Sequence, residues 1–158
     1  MALRKIRTLG DPVLEKTAKP VSEVTEKIKE LVYDMLDTMY MANGVGLAAP
    51  QIGVLKRIAV IDVSPEGNQP IVLINPEIIA ASGSQTGDEG CLSVPGKAGC
   101  VTRPNEVTVR ARNLKMKEFE ITGTELLARA LCHEIDHLDG IVYVEKVEGE
   151  LHEAATQA

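Results

Sequence analysis

The sequence predicts a single α+β domain, with mixed, mostly antiparallel sheets around a central helix that carries a His-Glu-x-x-His motif. Three observations lead there: an amphipathic helical pattern after Pro20, β-rich runs through the middle, and a second helical pattern near the end. At 158 residues, 44% of them apolar, the chain is of one-domain size and can bury an ordinary core. It contains no repeat, low-complexity tract or linker-like run. Residues 1–148 are therefore expected to form one domain, followed by a short polar tail over 149–158.

In SEVTEKIKELVYDMLDTMYMANG, Val24, Ile28, Leu31, Val32, Met35 and Met39 recur at helical spacing. Ser22 can cap the start and Asn43-Gly44 can end the helix. Methionines at this spacing are read as core filler. RIAVID (57–62) and IVLINPEII (71–79) read as strands separated by the turn-rich SPEGNQP, and VTVRAR (107–112) with FEIT (119–122) as a second pair. The last helix runs from Gly123 or Thr124 to Asp139-Gly140, where glycine can supply the left-handed turn.

Composition removes several function classes. A net charge of -6 disfavours a nucleic-acid or anionic-lipid surface, both of which need clustered Lys and Arg. With no Trp, one Phe and three Tyr, the chain lacks the aromatic platforms on which single strands stack. No segment approaches the roughly 18 consecutive apolar residues of a membrane span, and MALRKIRTLGDP lacks the apolar region of a signal peptide, so a cytoplasmic, membrane-free protein is expected. Cys91, Cys100 and Cys132, an odd set, fit reduced thiols.

The sharpest feature is LCHEIDHLDG, which holds two of the chain's three histidines. On a helix His133 and His137 lie about 40° apart, so both imidazoles can converge on one ion. Glu134 lies at the edge of the same sector and can reach a water on the metal without ligating it. A catalytic site of this kind uses three protein ligands and keeps one position open. The third ligand could be His152, in the polar EGELHEAATQA, or Cys91, where the glycine before it and Ser-Val-Pro-Gly after it imply a turning backbone. Cys91 is the stronger choice. Cys132 is about 100° off His133 and better suited to packing, and Cys100 is read as structural.

Leu126 and Ala130 fall within about 60° of His133 on the metal side of the helix, where they can line a pocket, although Leu126 could equally be core. Gly44, Gly46 and Gly90 would let a peptide backbone approach closely. Arg103 is expected to pair with Glu89 and fix the EGCLS turn. Asp136 could orient a ligand histidine through its second ring nitrogen, or pair nearby.

GVGLAAPQIG (44–53), EGCLS (89–93) and HEIDHLDG (133–140), in this order and at these separations, resemble peptide deformylase, which removes the formyl group from the initiator methionine of new bacterial and organellar proteins. The resemblance spans about residues 3–147. It implies a divalent metal held by Cys91, His133 and His137, with Fe2+ as the native ion and Ni2+, Co2+ or Zn2+ able to replace it. It implies Glu134 as general base and then acid, with the Gln51 side-chain amide and the Leu92 N–H as oxyanion donors. The partner it implies is an N-formylmethionyl nascent peptide, added as an extra strand beside Val45, Gly46 and Gly90, with its methionine side chain near Leu126 and Ala130.

The sequence departs from many members of that family in having Cys132, rather than Gln, before the first motif histidine. The resemblance also implies a possible transient ribosome contact, but EGELHEAATQA is short and net acidic, which puts docking by a long basic C-terminal helix in doubt. Two other readings stay open at this point. One is a small endopeptidase of the same motif. The other is a structural metal site, which would need a fourth ligand from His152, Cys100 or Cys132.

Overall fold

A computed structural model describes residues 2–153 of the chain. Helix α1 spans Glu26–Met41. It begins three residues later than Ser22 would set it, because Val21 is held extended: its N–H and C=O are both bonded at 2.8 Å to the side chain of Asn75. Thr25 is the cap instead, its hydroxyl accepting from the Ile28 N–H at 3.3 Å. Val32, Met35 and Met39 are fully buried, as their spacing implies. At the far end Asn43 takes the left-handed turn, with φ 59.

Strands β1 (Gly46–Ala48), β2 (Ile58–Ile61), β3 (Ile71–Ser82), β6 (Glu106–Arg112) and β7 (Glu118–Thr124) form one sheet in the order β1-β2-β3-β6-β7. A second sheet has the order β4-β5-β8, from β4 (Gln85–Cys91), β5 (Val94–Arg103) and β8 (Glu148–Glu153). All pairings between these strands are antiparallel, and a lone bridge between Lys19 and Lys56 is parallel. Pro76 is accommodated in β3 at a register shift between Ile74 and Glu77, where the ladder does not need its missing N–H.

Helix α2, Glu125–Leu138, lies between the sheets, packing on β1, β2, β6 and β7 and reaching β5. Its Ala128 and Leu131 join Ile61, Leu73, Val107 and Val109 in one apolar cluster. Helix α1 closes a second cluster over Leu47, Ile58, Val60 and Ile74. The helix ends as expected, with Gly140 at φ 77; a Cβ there would meet the Glu15 carbonyl oxygen at 2.6 Å.

The segment from 149 on was expected to be a tail, but the boundary falls inside β8. That strand pairs Lys97 with Glu153 and Ala98 with His152. All six of its residues are exposed, so it carries no apolar alternation by which a strand is read. Residues 154–158 of the expected tail lie outside the described residues.

Candidate metal centre and active site

Three elements bring the expected residues together. Helix α2 supplies His133, Glu134 and His137; the last residue of β4 and the tight turn after it supply Cys91 and Leu92; and the short 3-10 turn Ala49–Ile52 supplies Gln51. The N-terminal segment ties the last two in place. The Arg7 N–H donates to the Gln51 carbonyl at 2.6 Å, and the Leu9 N–H to the Ser93 carbonyl at 2.8 Å.

Ligand atoms of Cys91, His133 and His137 all lie within 4.8 Å of one another, and all three residues are buried. Cys91 Sγ stands 3.4 Å from His137 Nε2. Among the described residues this is the one such grouping of His, Cys, Asp and Glu. His152 is on exposed β8 and pairs with Asp88 at 3.0 Å, Cys100 is on β5, and Cys132 packs in the apolar cluster beneath α2. Burial pushes the Cys132 thiol up, as fits a packing residue.

The partner of His133 is not Asp136. His133 Nδ1 donates to Glu89 Oε1 at 2.8 Å, which leaves Nε2 free to ligate. Asp136 instead accepts from Arg103 at 2.7 Å and lies 3.5 Å from Lys146. The expected Arg103–Glu89 pair forms with two contacts, Nε to Oε2 at 2.8 Å and Nη2 to Oε1 at 3.0 Å. Burial alone would raise the Glu89 carboxyl, but hydrogen bonds from His133 and Arg103 hold it well below the usual carboxylate range. The sequence offered a signal for this role: Glu89 lies two residues before Cys91 on β4, so both side chains leave the same face of the strand.

Glu134 is buried, and its Oε1 has no hydrogen-bond partner. Burial pushes its carboxyl up to about 7, against the pull of His133. His137 Nδ1 is likewise buried without a partner. Burial and the neighbouring His133 lower the pKa of His137, favouring the neutral imidazole that binds a metal. Burial opposes a charge on His133 too, but Cys91 and Glu89 raise its pKa. A thiol, two imidazoles and an unpartnered buried carboxylate oxygen fit a divalent cation with one open position.

Gln51 is fixed at both ends. Its Oε1 accepts from the Ala48 N–H at 2.9 Å, and its Nε2 donates to Ser93 Oγ at 3.0 Å and lies 3.6 Å from Cys91 Sγ. Val45, Gly46, Gly90, Leu92, Leu126 and Ala130 line one cleft with these groups. Leu126 is half exposed, so it is a wall of that cleft and not core.

A family model described as polypeptide deformylase matches residues 3–152. The chain belongs to the peptide deformylase family. It is 69% identical over 156 residues to the peptide deformylase of Lachnoclostridium phytofermentans, covering 99% of this chain and 96% of that one. It is 68% identical to that of Agathobacter rectalis, covering 97% and 95%. Among solved structures, a peptide deformylase from Legionella pneumophila superposes with a TM-score of 0.90 at 50% identity, covering 92% of this chain and 86% of that one. One from Synechococcus elongatus in complex with actinonin gives 0.88 at 41%, covering 92% and 79%. Like the family, this peptide deformylase is a metal-dependent hydrolase that removes the N-formyl group from nascent peptides. Among the described residues no helix is long and apolar enough to cross a membrane.

Proposed function

We propose that Cys91, His133 and His137 hold one divalent metal ion and that Glu134, Gln51 and the Leu92 N–H carry out deformylation around it. The observation that carries this reading is the convergence of three buried ligand atoms within 4.8 Å, beside a buried Glu134 oxygen that no protein group satisfies. When bound, such an ion polarises a carbonyl and lowers the pKa of water from 15.7 to about 7. One thiolate and two imidazoles do not choose among the candidate ions by donor type. Fe2+ is the native ion in this reading, with Ni2+, Co2+ and Zn2+ as substitutes.

Glu134 takes the proton of the attacking water and returns it to the leaving amine, which frees the peptide N-terminus and formate. Its elevated pKa suits both halves of that task. As the formyl carbon becomes tetrahedral, negative charge grows on its oxygen. The Gln51 amide, already oriented by Ser93 and Ala48, and the Leu92 N–H donate to that oxygen. Losing one such donor typically costs about 3 to 4 kcal/mol.

The substrate is an N-formylmethionyl nascent peptide lying extended between the two sheets. β1 and β4 are each the outer strand of their sheet, so both present unpaired backbone groups beside Val45, Gly46 and Gly90. The methionine side chain rests against Leu126 and Ala130. The cytoplasm, with transient contact at the ribosome, is the setting this substrate implies.

Formate release from an N-formylmethionyl tripeptide, measured on protein whose metal content is determined in the same sample, tests the reading. Turnover should rise in proportion to bound metal. One metal per chain without formate release would overturn it.

A further inference from the structure

Glu89 is held from two sides, and only one of them was expected. Its Oε2 accepts from Arg103 Nε at 2.8 Å and also from Arg129 Nη1 at 2.7 Å. Its Oε1 accepts from Arg103 Nη2 at 3.0 Å and from His133 Nδ1 at 2.8 Å. Arg129 lies on α2 four residues before His133, so guanidinium and imidazole leave the same face of the helix and meet one carboxylate. The guanidinium is itself anchored across both strands of the β4-β5 hairpin: Nη1 donates to the Val101 carbonyl at 3.0 Å and Nη2 to Gln85 Oε1 at 3.4 Å. Arg129 is 8% exposed, a buried cation on an otherwise apolar stretch of helix.

We propose that Arg129 is a positioning residue for the metal centre: with Arg103 it clamps the Glu89 carboxylate so that Oε1 stays turned toward His133 Nδ1 and His133 Nε2 stays turned toward the ion. This rests on the reading of His133 as a ligand. Without Arg129 the carboxylate would be held by the Arg103 fork alone, and the two could tilt together relative to α2. With a second tether from α2, which also bears the histidine, the carboxylate and imidazole are fixed in one frame. Partners that orient ligand histidines in this way typically carry about 10- to 100-fold in metal affinity. The charge of Arg129 acts in the opposite sense, since a cation near the site repels another. Two carboxylates, Glu89 and Asp136, stand beside the two guanidinium groups and offset that repulsion, so the geometric effect prevails.

The test is the rate at which Zn2+-loaded protein surrenders its metal to an excess of chromogenic chelator, for wild type, Arg129→Met, Glu89→Gln and the double variant. Arg129→Met keeps the length of the side chain and removes its donors. It should release Zn2+ at least about 10-fold faster than wild type. In the Glu89→Gln background it should add little, because the carboxylate it orients is gone. Fully additive effects, or release at the wild-type rate, would overturn the proposal while leaving the metal site intact. Wild type that retains no stoichiometric Zn2+ would overturn the metal reading and this inference with it. If Arg129→Met does not fold, Arg129→Lys carries the test: a lysine can reach Glu89 or Val101 but not hold both in the same geometry. Its release rate should exceed wild type, and equality would overturn the proposal.

Discussion

Gly46 on β1 lies against Glu134 on α2 so closely that a Cβ at Gly46 would overlap the Glu134 carboxylate. The glycine thus makes room for the Glu134 carboxylate, the base of the proposed mechanism, and sets how far it stands from β1. Gly46→Ala should push the carboxylate aside, at an overpacking cost of about 1 to 3 kcal/mol. A displacement near 1 Å can cost up to about 100-fold in turnover. Steady-state formate release from Gly46→Ala, compared with its metal content, checks this. Wild-type kcat with wild-type metal would show that the close approach is unimportant.

The Gln51 amide bridges Ser93 Oγ and Cys91 Sγ, so Cys91 sits in a packed, hydrogen-bonded setting. Cys91→Ser keeps that packing but replaces a thiolate with a hydroxyl that stays protonated near neutrality. Metal affinity should fall by more than the roughly 100-fold upper range typical of outer-shell partners. Equilibrium dialysis against a buffered metal measures it, and affinity equal to wild type would remove Cys91 from the ligand set.

Asp62 gives the fold a defined acid sensitivity. Burial would raise its carboxyl, but hydrogen bonds from Ser64, the Tyr40 hydroxyl at 2.6 Å, and the Ser64 and Gln69 N–H groups more than offset that and lower it. A folded pKa below the unfolded value of 3.8 contributes stability that is present above that value and lost as pH falls through the folded one. Asp62→Asn should therefore be less stable than wild type at neutral pH, by at least about 1.5 kcal/mol for the loss of charge-assisted bonds. The gap should narrow steadily below pH 3.8. Urea melts of both proteins across that range decide it, and a gap independent of pH would refute the account.

What could be read from the sequence depended on whether an apolar pattern marked the element. Both helices, β6 and β7 carry the period of a buried face, whereas β2, buried throughout, and β3 are marked by runs of Val, Ile and Leu between turn residues. β4 and β5 contain Gly87, Gly90, Pro95, Gly96 and Gly99, residues that read as turns. They are strands because they pair with each other around Leu92-Ser93, a pairing that their glycine and proline content conceals. The His133–His137 pair of the candidate metal centre stood out in the sequence because histidine is rare here and the two lie one helical turn apart. The Glu89–Arg103 pair was expected, but the contacts of Glu89 with His133 and Arg129 were not, since they join residues 40 or more positions apart.

The central claim is that a metal held by Cys91, His133 and His137 works with Glu134 as the proton carrier. The most direct measurement is formate release by Glu134→Gln, with metal content determined on the same protein. The substitution keeps the shape of the side chain and, at the edge of the ligand sector, should leave one metal per chain. Turnover should fall by at least about 100-fold. Near wild-type turnover with metal bound would contradict the account and move the base to another group.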